Sequence, residues 1–553
     1  MNIQLIQIPP LQKFRPTDSF FDHAELREQT VLRGERLCYQ VCIRSDARQS
    51  VTVSLESALA PYLKLYLVKN VVMDVPARSE NLRGEDYISL EPGLMPDLLL
   101  PVGEQNWELF LSDTPTVFWV RADIPQELPA GDYTIRLRLT AADAQSPDDH
   151  AESVMQLHVL PAQMPEQQLN YTRWLYIDCI AVQHHVDIFS DQHWQLIDKY
   201  IAAAVDVGIN MILVPVHTPP LDVAVGTTRP CVQLVDIEKC GESYRFGFER
   251  LHRFLAICKK NGIRYYEIAH LFSQWGAKCA ANIRVTENGN SSYLFGWHTP
   301  ANDPAYMAFL KQYLAAVCKE LQQEGIDRQT YFHISDEPSL EAIDSYRSAA
   351  EIIRPLIGDC RTLDALSDYA FYEKGLVECP ATSIDHIQVF LDHRVPDQWL
   401  YYCCFPESVY ANSFLAMPLR RTRMLGFLMY KYNIRGFLHW GFNFYNSILS
   451  RYPINPYLTT SADGAFASGD PFIVYPGQDT VLPSMRGETM YAAIQDMGLC
   501  LALERRIGRD AVVQMIDEAA GCDVRFDRYP KNDRYLTELH AKMVQRIKQE
   551  DAT

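Results

Sequence analysis

Two rhythms of apolar and polar positions divide the chain. Up to about residue 160 they alternate in short runs: Val51–Leu55, Pro61–Val68, and Thr116–Pro125, the last leading through Pro129–Asp132 into Tyr133–Leu139. Alternation with a period of two, punctuated by Pro and Gly, predicts short strands, and with few helical patterns among them the region reads as a β-sandwich. No cluster of exposed aromatics stands out there, so its expected role is scaffolding.

The rhythm changes after the proline-bracketed linker Leu160–Glu166. From Arg173 onward apolar runs alternate with amphipathic helices, the signature of βα units around a parallel sheet. Strands are predicted at 173–178, 210–217, 263–270, 330–335, 360–364, 385–390, 399–404 and 435–442. Eight such strands close a (β/α)8 TIM barrel. An open doubly wound sheet is the competitor, but no glycine-rich phosphate loop follows the first strand. The helices Trp194–Val207, Phe248–Lys260 and Ala305–Glu324 run into Gly208, Gly262 and Gly325, residues that accept the left-handed conformation of a helix end. A helix over Leu415–Lys431 precedes the last strand, and the fifth and sixth helices look short. The predicted fold class is therefore multidomain: an N-terminal β-sandwich (1–165), a (β/α)8 barrel (166–507) and a short C-terminal helical extension (508–553). Long connections at 218–247, 271–301 and 443–484 all follow strand C-termini, which marks that rim as the functional face.

Composition narrows the partners. The 553 residues are 48% hydrophobic and 22% charged, with a net charge of -18. That excess of acid repels phosphates, arguing against nucleic acid and against an anionic membrane surface. The stretch Met1–Pro10 has no basic n-region and no long apolar h-region, so a cytoplasmic address is the default, although a processed secreted form reads the same. On that reading the 14 cysteines are mostly reduced core thiols, including the vicinal Cys403 and Cys404 in a strand-like run. No paired zinc-ligand spacing occurs, and no cofactor or metal is expected.

The candidate chemistry gathers at predicted strand ends. The apolar run Thr330–Ser335 ends in Asp336, Glu337 and Pro338. Inside a strand, neighbouring side chains face opposite ways, but past its end two adjacent carboxylates can share one substrate. Around them the rim receives His270, Trp275, Trp297, His298, Asp364, Tyr402, Trp440 and Asn443 as candidate substrate-binding residues. Aromatic faces stack on the C–H faces of a pyranose, while carboxylates and amides meet its hydroxyls. Ordinary glycosidases place two carboxylates roughly 5 to 9 Å apart across the bond, usually from different strands; an adjacent pair suits substrate-assisted hydrolysis, in which a 2-acetamido oxygen is the nucleophile. Asp336 would then hold the acetamido N–H and Glu337 would serve as acid and base.

Several motifs in order carry a resemblance. The runs His270–Lys278, Phe295–Pro300, Ser335–Pro338, Asp364–Asp368, Tyr401–Cys404, Gly436–Trp440 and Gly469–Gly477 resemble glycoside hydrolase family 123 and the related domain of unknown function 4091, and Trp119–Tyr133 resembles that family's preceding β-sandwich. The segment Arg486–Ala493 departs from the more acidic eighth helix of the group. The resemblance implies an exo-acting, retaining β-N-acetylgalactosaminidase type of enzyme with Asp336 as acetamide polariser and Glu337 as acid/base, acting on a carbohydrate that bears a 2-acetamido sugar. Two alternatives stand beside it: a non-catalytic glycan-binding or scaffold protein on a barrel, and a metal-dependent barrel hydrolase using His217, His270, His298 and Asp336.

Overall fold

The computed structural model describes residues 3–19, 25–79, 82, 85–103, 107–142 and 150–552. The N-terminal region is a sandwich of two five-stranded sheets. One runs, in spatial order, Ile3–Ile8, Arg36–Ser45, Thr116–Asp123, Leu63–Met73, Gly93–Pro101; the other Glu28–Arg33, His150–Gln163, Gly131–Ala141, Gln49–Glu56, Trp107–Leu111. The strand Thr116–Asp123 shows how the period of two is spent. Phe118, Val120 and Ala122 point into the sandwich core with Val53, Leu137 and Leu139, while Trp119 joins the apolar core that continues into the barrel. One face of the first sheet is thereby a docking surface for the barrel, with Tyr66, Met95 and Leu99 beside Trp119.

The barrel closes in sequence order through eight parallel strands: β1 Asn170–Arg173, β2 Met211–Val214, β3 Tyr265–Ile268, β4 Thr330–Phe332, β5 Arg361–Leu366, β6 Cys379–Ser383, β7 Trp399–Tyr401 and β8 Gly436–His439. Two predicted strands are misplaced. The first lies at 170–173 rather than 173–178, and the sixth at 379–383 rather than 385–390. Residues 387–392 instead form a short helix, Ile387–Asp392. The strand before it, Cys379–Ser383, consists of small residues and a proline, so it carries a weaker apolar signal than the helix that follows.

The principal helices are α1 Asp191–Asp206, α2 Glu249–Asn261, α3 Pro304–Gln323, α4 Ile343–Ile353, α5 Leu419–Lys431 and α6 Met485–Ile507, and they end largely as their glycines predict. Gly208, Gly262 and Gly325 have φ of 88°, 94° and 69°. Asp303 caps α3 by accepting from the amides of Ala305 and Tyr306. Two further helices, α7 Arg509–Ala520 and α8 Asp533–Glu550, pack against α6; α8 is charged outside but buries Leu536, Leu539, Met543 and Ile547. The long rim connections are structured too: residues 236–240, 243–247, 283–287 and 290–295 form a four-stranded sheet.

Ion pairs stitch the sandwich to the barrel. Arg121 binds Asp206 at the end of α1 and Glu488 in α6, and Arg36 reaches the same two carboxylates. Arg486, at the start of the segment that departs from the group's more acidic eighth helix, is buried and paired with Asp97 of the sandwich at 2.9 Å. A cleft of about 910 Å³ lies at this joint, but its charges are already matched, His540 standing between Glu35 (3.1 Å) and Asp496 (2.9 Å). Among the described residues no helix is long and apolar enough to cross a membrane.

Candidate active site

The chain beyond β4 keeps pairing with its neighbours after the regular strand ends. Leu271 N–H donates to His333 O and Phe272 N–H to Ile334 O on one side, and Glu337 N–H donates to Ala365 O (3.1 Å) on the other. In a continued strand Asp336 and Glu337 would diverge. Glu337 instead has φ of 41°, in the left-handed region that a non-glycine residue enters at a cost of about 1–3 kcal/mol, and both side chains line one cleft. The facing loop is bent just as sharply, with φ of 59°, 120° and 52° at Trp275, Gly276 and Ala277. Ser335 pins it, its hydroxyl donating to Ser273 O (2.9 Å) and accepting from Ala277 N–H (3.1 Å). A Cβ on Gly276 would collide with Ala342, so the turn requires glycine.

The cleft encloses about 610 Å³, part of it open to solvent. Its walls are aromatic: Trp174, Trp275, Tyr401, Tyr402, Trp440 and Phe466. Trp275 is 50% exposed, whereas Trp440 is 8% exposed and fixed by its indole N–H donating to Asp470 Oδ2 (3.0 Å). Gln274 donates to Asp336 Oδ2 (3.0 Å) and accepts from the Asp222 amide (2.7 Å). The Tyr401 hydroxyl donates to Glu337 Oε1 (2.8 Å).

Electrostatics makes both acids hold protons more tightly. Burial, and then the charge of Glu337, push Asp336 well above the usual carboxylate range, against the opposing Gln274 hydrogen bond. Burial also raises Glu337, with Tyr401 pulling the other way. Asp222, a third carboxylate in the cleft, is pushed up to about 6 by burial, partly offset by Arg229.

Beneath the acids lies a buried layer of hydrogen-bonded charge. His333 sits between Glu267 (2.8 Å) and Asp364 (3.2 Å), and these two carboxylates overcome the downward pull of burial to raise its imidazole to about 9. Asp364 also accepts from the Ile334 amide and the Tyr346 hydroxyl. Glu267 also accepts from the Trp174 indole (3.1 Å). This layer fixes the segment that carries the pair.

A profile described as "Glycoside hydrolase 123, catalytic domain" matches residues 174–503, more than half of the chain. The chain belongs to glycoside hydrolase family 123. A solved family 123 glycoside hydrolase from Clostridium perfringens, studied for glycolipid glycan hydrolysis, superposes with a TM-score of 0.71 at 15% identity, over 99% of this chain and 97% of that one. Weaker likenesses carry no argument: the sporulation control protein Spo0M from Bacillus subtilis has a TM-score of 0.14 (9% identity, 29% of this chain, 49% of that one). A DUF4466 family protein from Parabacteroides merdae reaches 0.17 (10% identity, 30% and 47%). No curated protein sequence matches the chain.

This family 123 glycoside hydrolase brings together some of the residues expected to bind substrate and separates others. Trp275, Tyr402 and Trp440 line the cleft with the two acids. Asp364 does not, because its oxygens are committed to the layer below. His270 is fully buried in that layer, stacked on His333 at 4.2 Å and edge-on to Trp174. Asn443 clamps the backbone of Tyr176 with both ends of its amide (2.8 and 3.1 Å), fixing the loop after β1. Trp297 and His298 sit on the rim sheet's loop, bonded to Thr227 O and Leu294 O, outside the cleft lining.

The set His217, His270, His298 and Asp336 is not assembled into a metal site. His298 is exposed on its loop and His217 bonds the carbonyl of His270. The group of ligand atoms within 4.8 Å is instead His270, His333 and Asp364, and a protonated His333 held by two carboxylates has no lone pair for a metal. Cys403 and Cys404, expected in the core, are half-buried in the cleft wall. Asp222 escaped the sequence reading. Its only signal was its place after Pro219 and Pro220 in a long connection on the functional rim.

Proposed function

We propose that the chain is a retaining glycosidase for terminal 2-acetamido sugars, of the β-N-acetylgalactosaminidase type, in which the substrate's own acetamido oxygen attacks the anomeric carbon. The observation that supports this is the pair of sequence-adjacent acids turned into one aromatic-walled cleft by a left-handed residue. Carboxylates on neighbouring residues are poorly placed to stand across a glycosidic bond as nucleophile and acid, but they suit a substrate that carries its own nucleophile.

Burial, and then the charge of Glu337, raise the proton affinity of Asp336, and burial raises that of Glu337. A bound acetamido N–H donating to Asp336 stabilises its ionised form, leaving Glu337 to carry the proton. Glu337 then protonates the leaving oxygen, while Asp336 stabilises positive charge as the oxazolinium ring closes. In the second step Glu337, now a carboxylate, takes a proton from the water that opens the ring. Trp275, Tyr402 and Trp440 offer stacking faces and a hydroxyl for the sugar.

Aryl β-N-acetylgalactosaminides of graded leaving-group acidity test the two roles. Glu337→Gln should lower kcat/KM by about 10²–10⁴ with a poor leaving group and far less with a dinitrophenolate, which departs without a proton. Asp336→Asn should cost about 10²–10³ with either. Undiminished turnover in either variant overturns the reading.

A further inference from the structure

The sulfurs of Cys403 and Cys404 are 3.9 Å apart, the Cys404 thiol donating to Cys403, and both residues line the cleft, directly after Tyr402 and close in sequence to Tyr401, the residue that holds Glu337. The backbone around them is held. Asn412 donates from Nδ2 to Cys403 O (2.9 Å) and Pro406 O (3.3 Å), and Cys403 N–H donates to Phe405 O (3.0 Å). The beginning of the next turn is apolar and open, Phe405 being 47% exposed. Two thiols in contact on adjacent residues are therefore presented to whatever small molecule enters the cleft.

We propose that Cys403 and Cys404 are a reversible redox-modification site, closed by a low-molecular-weight disulfide into a vicinal disulfide that reshapes the cleft wall and weakens sugar binding. The thiolate of one cysteine attacks one sulfur of the oxidant, breaking its S–S bond and expelling one small thiol. The sulfur of the other cysteine then displaces the second thiol from the mixed disulfide. One intramolecular S–S bond replaces the oxidant's, the protein gives up two electrons and two protons, and two small thiols leave with them.

Geometry makes the bond labile. Adjacent Cα atoms are ~3.8 Å apart across a trans peptide, closer than the usual disulfide span of about 4.4–6.8 Å, so the ring is strained and easily reduced. Strained and accessible disulfides are the ones that switch. Closing it moves the wall next to Tyr401 and Tyr402. The effect on turnover rests on the glycosidase reading; the modification itself does not.

The test uses the full-length protein under native conditions, treated with oxidised glutathione and then with dithiothreitol. Peptide mapping should find the loss of two hydrogens on the peptide holding both cysteines, reversed by the reductant. The KM for an aryl β-N-acetylgalactosaminide should rise roughly tenfold and fall back, the scale of one misfitted contact in a substrate pocket. Cys403→Ser should trap Cys404 as a glutathione adduct, and in Cys404→Ser the ratio of oxidised to reduced KM should stay near unity. The proposal is overturned if the pair stays reduced while the exposed Cys240 is modified, or if the ring closes and KM is unmoved. If neither redox form cleaves any β-N-acetylhexosaminide, the glycosidase reading has failed on its own. The affinity of the two forms for free N-acetylgalactosamine by calorimetry then decides the redox proposal by the same tenfold criterion.

Discussion

At the scale of single residues, the site turns on how much proton affinity each carboxylate is given. Burial raises Asp336 and Glu337 together, and the Tyr401 hydroxyl opposes that rise at Glu337 alone by favouring its ionised form. Removing that donor in Tyr401→Phe raises the Glu337 pKa further. The basic limb of the kcat/KM profile, where the acid is lost, should therefore move to higher pH, and the measurement is a pH–rate series on an aryl glycoside with a poor leaving group. An unmoved or lowered limb would show that Glu337 is not the acid. The two acids were legible in the sequence because they close an apolar run before a proline, and Trp275, Tyr402 and Trp440 because aromatic residues at strand ends have little else to do. His270, Asp364 and Asn443 lie equally close to strand ends, yet His270 is packed between His333 and Trp174, Asp364 is committed to His333, Ile334 and Tyr346, and Asn443 to the Tyr176 backbone. A sequence shows proximity to the rim but not whether a polar atom is already taken. Asp222 shows the converse, a cleft carboxylate from a long loop with no local pattern to announce it.

At the scale of elements, the barrel was legible wherever a strand is apolar and a helix ends at glycine. The sixth strand was not, because Cys379–Ser383 is short, small and interrupted by Pro380, while the amphipathic turn behind it reads more strongly. The sandwich was expected only as a scaffold, and its ties to the rim give that role definite content. Asp74, just past the strand Leu63–Met73, accepts hydrogen bonds from Thr459 (2.5 Å), Ser461 (2.5 Å) and Ser468 (2.8 Å), in the connection after β8 that also supplies Phe466 to the cleft and Asp470 to Trp440. Lys13 reaches Leu415 O and Met417 O (2.9 and 3.1 Å), and Glu407 accepts from the amides of Arg78 and Ser79. Asp74→Ala leaves three hydroxyls and the loop unbraced. It should lower kcat/KM by roughly tenfold to a hundredfold through Trp440 and Phe466, because small misplacements remote from the chemistry are costly, with a smaller loss of global stability. Limited proteolysis should then cut within 455–470 first.

At the scale of the whole molecule, sandwich and barrel are joined by buried charge as well as apolar area. Asp97 accepts from Arg486 Nε (3.0 Å), Arg486 Nη2 (2.9 Å) and the Tyr475 hydroxyl (2.7 Å), and the same guanidinium donates to Phe472 O (2.8 Å). Asp97→Ala strands a buried cation and should cost about 3–5 kcal/mol in urea unfolding, of which the double change Asp97→Leu/Arg486→Met should restore a large part. The joint also gives stability a pH dependence. Burial alone would raise Asp206 and Asp123, but Arg121 and Arg36 hold both below the ordinary carboxylate range. Their folded pKa lies under the unfolded value, so their contribution is complete above about pH 4 and is lost as pH falls through the folded values.

Trp275 has a use that its place in the cleft does not require. It is one of eight tryptophans, half open to water in the lining of the cleft that holds the two acids, on a backbone bent sharply at Gly276. Filling the cleft or titrating its acids should shift this residue's emission, so the protein carries its own optical gauge, readable in a cuvette without a coloured substrate or an attached dye.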